Sequence, residues 1–403
     1  MSLLDALGSE NAWETFYEYK LGLACQKNFT AELREFIDEK RYLPVYEKIS
    51  GGEEAFPLPK KTVISKMGSD KKRVVYTYPD DENTALKLLT YLMLRKYDKI
   101  FAGNLYSFRP GRTAKDAVRR LTRTKGISQT YSYKVDVSDY FNSVPVDLLL
   151  PPLKSALADD EKLYDFLSSL LLETDVIENG RIHPERKGIM AGTPVSSFFA
   201  NLFLTDLDRY FEENGFLYAR YSDDIILFAD TRGECERRAE IALSFLHSHG
   251  LSVNPKKECF SSPEEGFTFL GFYVCGKTVD IAPVTVQKLK GKMRRKRDAL
   301  TRWKKRNDVD GEKAAKAFIR VFNRKLFENS GDNELTWSKW FFPCLTRADS
   351  LKEIDLYAQD CIRYLISGKH TKARFNARYE YIKKLGYKSL VHEYYSFKSE
   401  NER

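Results

Sequence analysis

The chain has 403 residues, enough for two or three domains with a sizeable core, and carries a net charge of +9 with 31% charged residues. That basic excess suits a polyanionic partner, and 24 Tyr with 26 Phe supply rings able to stack on bases. Six scattered cysteines (Cys25, Cys235, Cys259, Cys275, Cys344, Cys361) without a CxxC pair argue against a zinc site and a disulfide framework, and no run approaches the ~20 apolar residues of a membrane span.

Residues 1–5 carry an early acid and do not read as a signal peptide, so a reduced, cytoplasmic setting without a membrane partner is expected. Over residues 1–45, Trp13, Phe16, Tyr17, Leu21, Leu23, Phe29, Leu33 and Phe36 recur at helical spacing, which predicts an amphipathic packing extension. Gly51-Gly52 with Pro57 and Pro59 mark a loop. Residues 60–66 and 71–78 predict a basic hairpin turning at Gly68-Ser69-Asp70, with Lys66 and Lys71 beside the turn. Such a hairpin is either a solvated edge or a triphosphate clamp. A helix is expected over 81–100. The loop 106–113 follows with Arg109 and Arg112, and Thr113 is placed to cap the helix through Ala117, Val118 and Leu121.

Tyr133-Lys134-Val135-Asp136-Val137 is an apolar strand ending in an acid, and helices then reach to about 175. Asn179-Gly180 signals a hairpin. Residues 188–205 read as a glycine loop opening a buried helix, and 220–228 as strand, acidic turn and returning strand around Asp223-Asp224. Alone, an Asp-Asp turn is more often a solvated tip; with Asp136 on a neighbouring strand, three carboxylates can converge on a hard divalent cation. A helix is expected over 234–249, a short strand and turn over 251–257, and one hairpin strand over 266–274. Beyond Pro283 the helical chain is strongly basic: Lys288, Lys290, Lys292, Arg294, Arg295, Lys296, Arg297, Arg302, Lys304, Lys305 and Arg306 face one acid, Asp298. A charge run is usually a solvated face, but so few acids favour a phosphate backbone nearby.

In order and spacing, residues 58–275 resemble the reverse transcriptases, in the bacterial branch related to group II introns. Asp136-Val137-Ser138-Asp139-Tyr140-Phe141 resembles the family's first carboxylate motif, and Tyr221-Ser222-Asp223-Asp224 its Y-x-D-D signature. Gly188 to Leu204 is similar to the template and nucleotide motif between them, with Asn254-Pro255-Lys256-Lys257 and Phe269-Leu270-Gly271 similar to the next two. Residues 106–112 are close to the fingers motif of intron-type enzymes.

The resemblance implies an α+β right-hand polymerase: an N-terminal helical extension (1–45), fingers with a ferredoxin-like palm (46–280) and a basic helical thumb with C-terminal helices (281–403). It makes Asp136, Asp223 and Asp224 metal carboxylates, puts the Val137 carbonyl near the second ion, and gives Lys257 the protonation of pyrophosphate. Two Mg²⁺ ions are implied, with Mn²⁺ as a substitute. Phe141, five residues after Asp136, matches the steric gate against a ribose 2′-OH, or is a core ring. Lys72, Arg73, Arg109 and Gly192 match nucleotide-side positions; Arg112, Arg294, Arg295, Arg297, Lys304 and Lys305 are expected on nucleic acid. Met190-Ala191-Gly192 and Ser196-Ser197 stand where the family usually has Pro-Gln-Gly and Ser-Pro, which touches template-groove contacts rather than catalysis.

The retron signatures Val-Thr-Gly and Asn-Ala-x-x-His are missing, as is an HNH module, which leaves a stand-alone phage-defence or abortive-infection type. Its implied partners are dNTPs, an RNA template that is a dedicated structured non-coding RNA, and the DNA product; primer and oligomeric state stay open. The rival readings are template-independent nucleotide addition, a maturase-like RNA scaffold and a diversity-generating retroelement enzyme.

Overall fold

A computed structural model describes residues 2–23, 27–51, 55–65, 72–328 and 336–401. The loop residue Gly52, Cys25, and the hairpin turn at Gly68-Ser69-Asp70 with Lys66 and Lys71 lie outside the described residues. Two compact units form, one from Met1–Ala117 with Thr130–Ser262, the other from Val118–Gln129 with Pro263–Arg403. The described strands are β1 (Lys60–Ser65), β2 (Lys72–Thr77), β3 (Tyr131–Asp136), β4 (Asp175–Glu178), β5 (Arg181–Pro184) and β6 (Tyr218–Tyr221). They continue with β7 (Asp224–Ala229), β8 (Cys259–Ser261), β9 (Phe267–Phe269), β10 (Phe272–Cys275) and β11 (Thr278–Ile281).

The first unit is built on an antiparallel sheet of order β6-β7-β3-β8. With the helices Ser196–Phe203 and Arg232–Ser248 it reads β-α-β-β-α-β in chain order, the ferredoxin-like arrangement. Alternation along the strands decides its two faces. Tyr133 and Val135 of β3, opposite Leu227 and Ile225 of β7, are buried in one core with Cys235, Ala239, Ala242 and Leu246 of the helix Arg232–Ser248. The same alternation sends Lys134, Asp136 and Asp224 to the other face, where Asp136 stands directly opposite Asp224. On the far side of β3, Lys134 pairs in register with Cys259, whose side chain is exposed.

A second sheet of order β2-β1-β4-β5 joins the basic hairpin to the hairpin turning at Asn179-Gly180. Both turn residues have positive φ, 52° and 78°, as a tight hairpin of this twist requires. The N-terminal helices Glu10–Gly22, Lys27–Asp38 and Tyr42–Ile49 close around Trp13, which is fully buried against Phe16, Phe36 and Tyr42. Leu21 and Leu23, expected to pack there, are exposed. Thr113 caps the helix Ala114–Arg123 as expected: its hydroxyl accepts from Asp116 N, and the Asp116 carboxylate accepts from Thr113 N.

The second unit contains the sheet β11-β10-β9 and the helices Pro283–Arg306, Gly311–Phe327 and Asp349–Ser367, packed around Met293, Leu300, Phe318, Phe322, Ile354 and Ile362. The single strand expected over 266–274 is two, because Leu270 and Gly271 take φ of 51° and 86° and reverse the chain. A Cβ on Gly311 would lie 2.4 Å from the Ile366 carbonyl oxygen, so only glycine admits this close helix approach. Asp355 fastens the final helix Leu390–Asn401, its carboxylate accepting from Leu390 N, Val391 N, Tyr387 and Ser389. Among the described residues no helix is long and apolar enough to cross a membrane.

Candidate active site

Strand ends deliver the acids. β3 runs out at Asp136, β7 begins at Asp224, and Asp223 occupies the two-residue turn between β6 and β7. Ser222 makes that turn tight by adopting a φ of 59°. The Val137 N–H donates to the Asp223 carbonyl at 3.1 Å, so the end of β3 is tied to the turn. Burial, the nearby Asp136 charge and, less, Asp224 raise the Asp223 carboxyl above its ordinary range, with Lys257 pulling the other way.

Lys257 arrives from a turn. Asn254 N–H donates to the Asp136 carbonyl, the Asn254 side chain accepts from Lys256 N, and Lys257 N–H closes back onto the Asn254 carbonyl. Its ammonium then meets Asp136 Oδ2 at 2.5 Å. Lys134 similarly faces Asp224 Oδ1 at 3.3 Å. Each outer acid therefore has its own lysine, while among the described residues no lysine is in bonding contact with Asp223.

The donor set, hard carboxylate oxygens with surplus negative charge around Asp223, fits a divalent cation. Among the described residues, however, no three acid, His or Cys side chains are gathered closely enough to hold a metal ion as they stand. Lys257 and Lys134 are bonded to Asp136 and Asp224, and both of these acids lie close enough to Asp223 to raise its carboxyl.

Beneath the turn lies a network that sequence reasoning missed. Arg220 is fully buried and forms an ion pair with buried Asp208 at 2.5 Å. It also donates to the carbonyls of Asn201 and Ser222. Tyr218 donates to the same Asp208 carboxylate. Ser222 N–H donates to Ser107 Oγ, which in turn donates to Asn201 Oδ1, locking the acidic turn to the loop before Phe108. The available signal was an arginine inside an apolar strand and an aspartate among Leu204, Leu207 and Phe211.

The other expected residues divide. Lys72 and Arg73 are exposed on β2. Gly192, at φ 106°, lies against that strand: a Cβ there would stand 3.0 Å from the Tyr76 carbonyl oxygen. Phe141 is half-buried, edge-on to Phe108 and Tyr140, and its carbonyl accepts from Ile189 N.

Arg109 corrects the sequence reading. It is buried, its Nε and both Nη atoms donating to Asp98 and to the carbonyls of Ala102, Leu105 and Asp98, so it is a brace and not a triphosphate contact. Arg112 likewise donates to the Gly103 carbonyl and lies over the Tyr106 ring. In the second unit Arg294, Arg295 and Lys305 are exposed, but Arg297 turns inward onto Asp298 and the Tyr364 ring. Lys304 donates to the Leu365 carbonyl. Of the C-terminal rings, Phe318, Phe322, Phe341, Phe342 and Tyr387 are core, whereas Phe375, Tyr379 and Tyr381 are exposed.

Comparison with known proteins gives a match of residues 58–274 to the family model described as reverse transcriptase (RNA-dependent DNA polymerase). The chain is 25% identical over 174 residues to the retron Ec86 reverse transcriptase of Escherichia coli, covering 42% of this chain and 50% of that protein. It is 24% identical over 238 residues to the putative COX1/OXI3 intron 2 protein of Saccharomyces cerevisiae, covering 44% and 27% respectively. The chain thus spans half or less of the length of these relatives. An apo telomerase structure from Candida tropicalis is similar at a TM-score of 0.47 and 13% identity, over 86% of this chain and 73% of that one.

Proposed function

The chain belongs to the reverse transcriptase (RNA-dependent DNA polymerase) family, and from that premise we propose that it copies RNA into DNA, adding dNTPs at the Asp136–Asp223 site. Its α+β right-hand polymerase class is that of the family. The observation that carries the reading is the strand-end pairing of Asp136 with Asp224, with Asp223 in the turn and Lys257 bonded to Asp136. Asp136 and Asp223 would hold Mg²⁺, with Asp224 adding charge. Held by these acids, divalent ions would supply activation of the primer oxygen and charge stabilisation for the leaving pyrophosphate.

The chain's own residues supply the remaining work. Lys72 and Arg73, exposed on β2, hold triphosphate oxygens, while Gly192 leaves the loop beside them free of a side chain. Phe141 excludes a 2′-hydroxyl with its half-buried ring. Lys257, already within proton-transfer reach of Asp136, gives a proton to departing pyrophosphate once that bond opens. Arg294, Arg295 and Lys305 line a backbone-binding face of the second unit.

The template in this reading is a dedicated structured RNA, and the setting is antiphage defence in a bacterial cytoplasm. Support for the RNA comes from Phe375, Tyr379 and Tyr381, exposed among Lys372, Arg374, Arg378, Lys383 and Lys384, a combination suited to splayed RNA bases. The defence role rests on the resemblance to the stand-alone branch.

Primer extension on RNA copurifying with the chain, set against an unrelated primed RNA of equal length, tests both levels. Expected is Mg²⁺-dependent DNA synthesis that Asp223→Asn removes, and faster synthesis on the copurifying RNA. Synthesis surviving in Asp223→Asn would overturn the site. Equal use of both RNAs would overturn the dedicated template.

A further inference from the structure

The first unit holds a cavity of about 560 Å³ that has no part in the chemistry above. It opens between the helix Val146–Ala156, the end of the helix Glu161–Leu172 and the segment leaving β5. Val144, Val146, Leu150, Leu171 and Leu172 give it apolar walls; Glu173, Glu185, Arg186 and Lys187 line it where the helix Glu161–Leu172 and β5 end, and Asp147 lines it from the helix Val146–Ala156. A cavity of this size and lining is the usual form of a small-molecule site.

The charged end narrows the class of occupant. Lys187 lines the cavity, is 3% exposed, and its Nζ has no hydrogen-bond partner among the described residues. A buried ammonium in that state is costly until it meets an acceptor. Of the acids in the lining, Glu185 accepts from Tyr76 and forms an ion pair with Lys61 Nζ at 2.8 Å, and Glu173 accepts the Asp175 N–H. Arg186 is exposed beside them. Glu173, Asp175 and Glu185 surround the Lys187 ammonium at longer range, but among the described residues it is the buried donor at this end left without an acceptor.

We propose that this cavity binds a small aromatic anion, its ring among Leu150, Leu171 and Leu172 and its anionic group on Lys187 with Arg186. The site also adjoins the nucleotide side. Gly188, another lining residue, is so close to the Phe141–Asn142 backbone that a Cβ would stand 2.5 Å from the Phe141 carbonyl oxygen. The Ile189 N–H donates to that oxygen at 2.8 Å. Occupancy therefore shifts the deoxyribonucleotide preference set by Phe141, a consequence that rests on the function proposed above; the binding itself does not.

The probe is 8-anilinonaphthalene-1-sulfonate, an aromatic sulfonate that fluoresces when buried, titrated into the full chain. Saturation at one probe per chain is expected. Lys187→Met should weaken binding at least about tenfold, about 1.4 kcal/mol, while Lys187→Arg stays within about threefold of wild type. Leu172→Glu changes only a rim position that is 58% exposed, so it leaves the fold intact, and it should weaken binding to a similar degree by repelling the sulfonate. A signal that never saturates, or wild-type affinity in either Lys187→Met or Leu172→Glu, overturns the proposal. Asp223→Asn should bind the probe normally, which separates failure of this site from failure of the polymerase reading. An unchanged ratio of dNTP to rNTP incorporation at saturating probe, in a chain that is active, overturns the link to Phe141.

Discussion

An ionised Asp223 opposes folding, first because it is buried and then because Asp136 and Asp224 crowd it. Asp223→Asn should therefore raise Tm in the presence of EDTA, each ~1 kcal/mol of relief reading as about 2–4 °C. Added Mg²⁺ should raise the Tm of the native chain more than that of the variant, and dNTP incorporation should fall by more than about 100-fold, ~2.7 kcal/mol of barrier. Scanning calorimetry and primer extension read the two effects, and a variant less stable than the native chain in EDTA would refute the crowding argument. Phe141→Ala should admit ribonucleotides, because the ring is only half-buried between Phe108 and Tyr140; unchanged rNTP discrimination would make it a packing residue. The positions of the three acids were legible in the sequence because apolar strands run up to Asp136 and away from Asp224, with Asp223 in the turn before it. Arg109 was not, since an arginine in a loop looks the same whether its donors meet phosphate or, as here, carbonyls and Asp98.

At the scale of elements, the acidic turn closes the β6–β7 pair and is also held from below by Arg220, which is paired with Asp208 and donates to the Ser222 carbonyl. Arg220→Met leaves a buried carboxylate without its counter-charge, and should cost roughly 3–5 kcal/mol in urea unfolding. Adding Asp208→Leu should recover much of that loss, yet activity should stay low because Ser222 loses the guanidinium that its carbonyl accepts from. Recovery of both together would mean that the pair serves stability alone. Hairpins with explicit turn chemistry, such as Asn179-Gly180, could be read directly. The β9–β10 turn could not, because Leu270 adopts a left-handed backbone that its side chain disfavours, and an unbroken apolar run hides the reversal. Nor could the Arg220 network, whose members lie up to 115 residues apart.

Over the whole molecule, charge is more selective than composition suggests. Neutralising Arg294, Arg295 and Lys305 together should lower the slope of log K against log salt for RNA binding by about 2–3, since each lost phosphate contact contributes roughly 0.7–0.9. Neutralising Arg297 should leave the slope unchanged and lower stability instead, because its guanidinium is held by Asp298 and the Tyr364 ring. Equal effects of the two variants would show that the inward contacts of Arg297 do not set its role. The basic stretch itself was plain in the sequence, but the direction each side chain takes depends on the neighbouring helix Asp349–Ser367, which no local pattern encodes.

The register that sets Cys259 opposite Lys134 has a practical consequence. That thiol is exposed, two residues beyond the lysine bonded to Asp136, while Cys235 and Cys361 are buried. With Cys25 replaced by Ser, a maleimide dye should attach preferentially at Cys259. A fluorophore there would sit on the strand bordering the carboxylates, giving an optical signal for the moment Lys257 releases Asp136 and the site fills, followed by stopped flow without radiolabel.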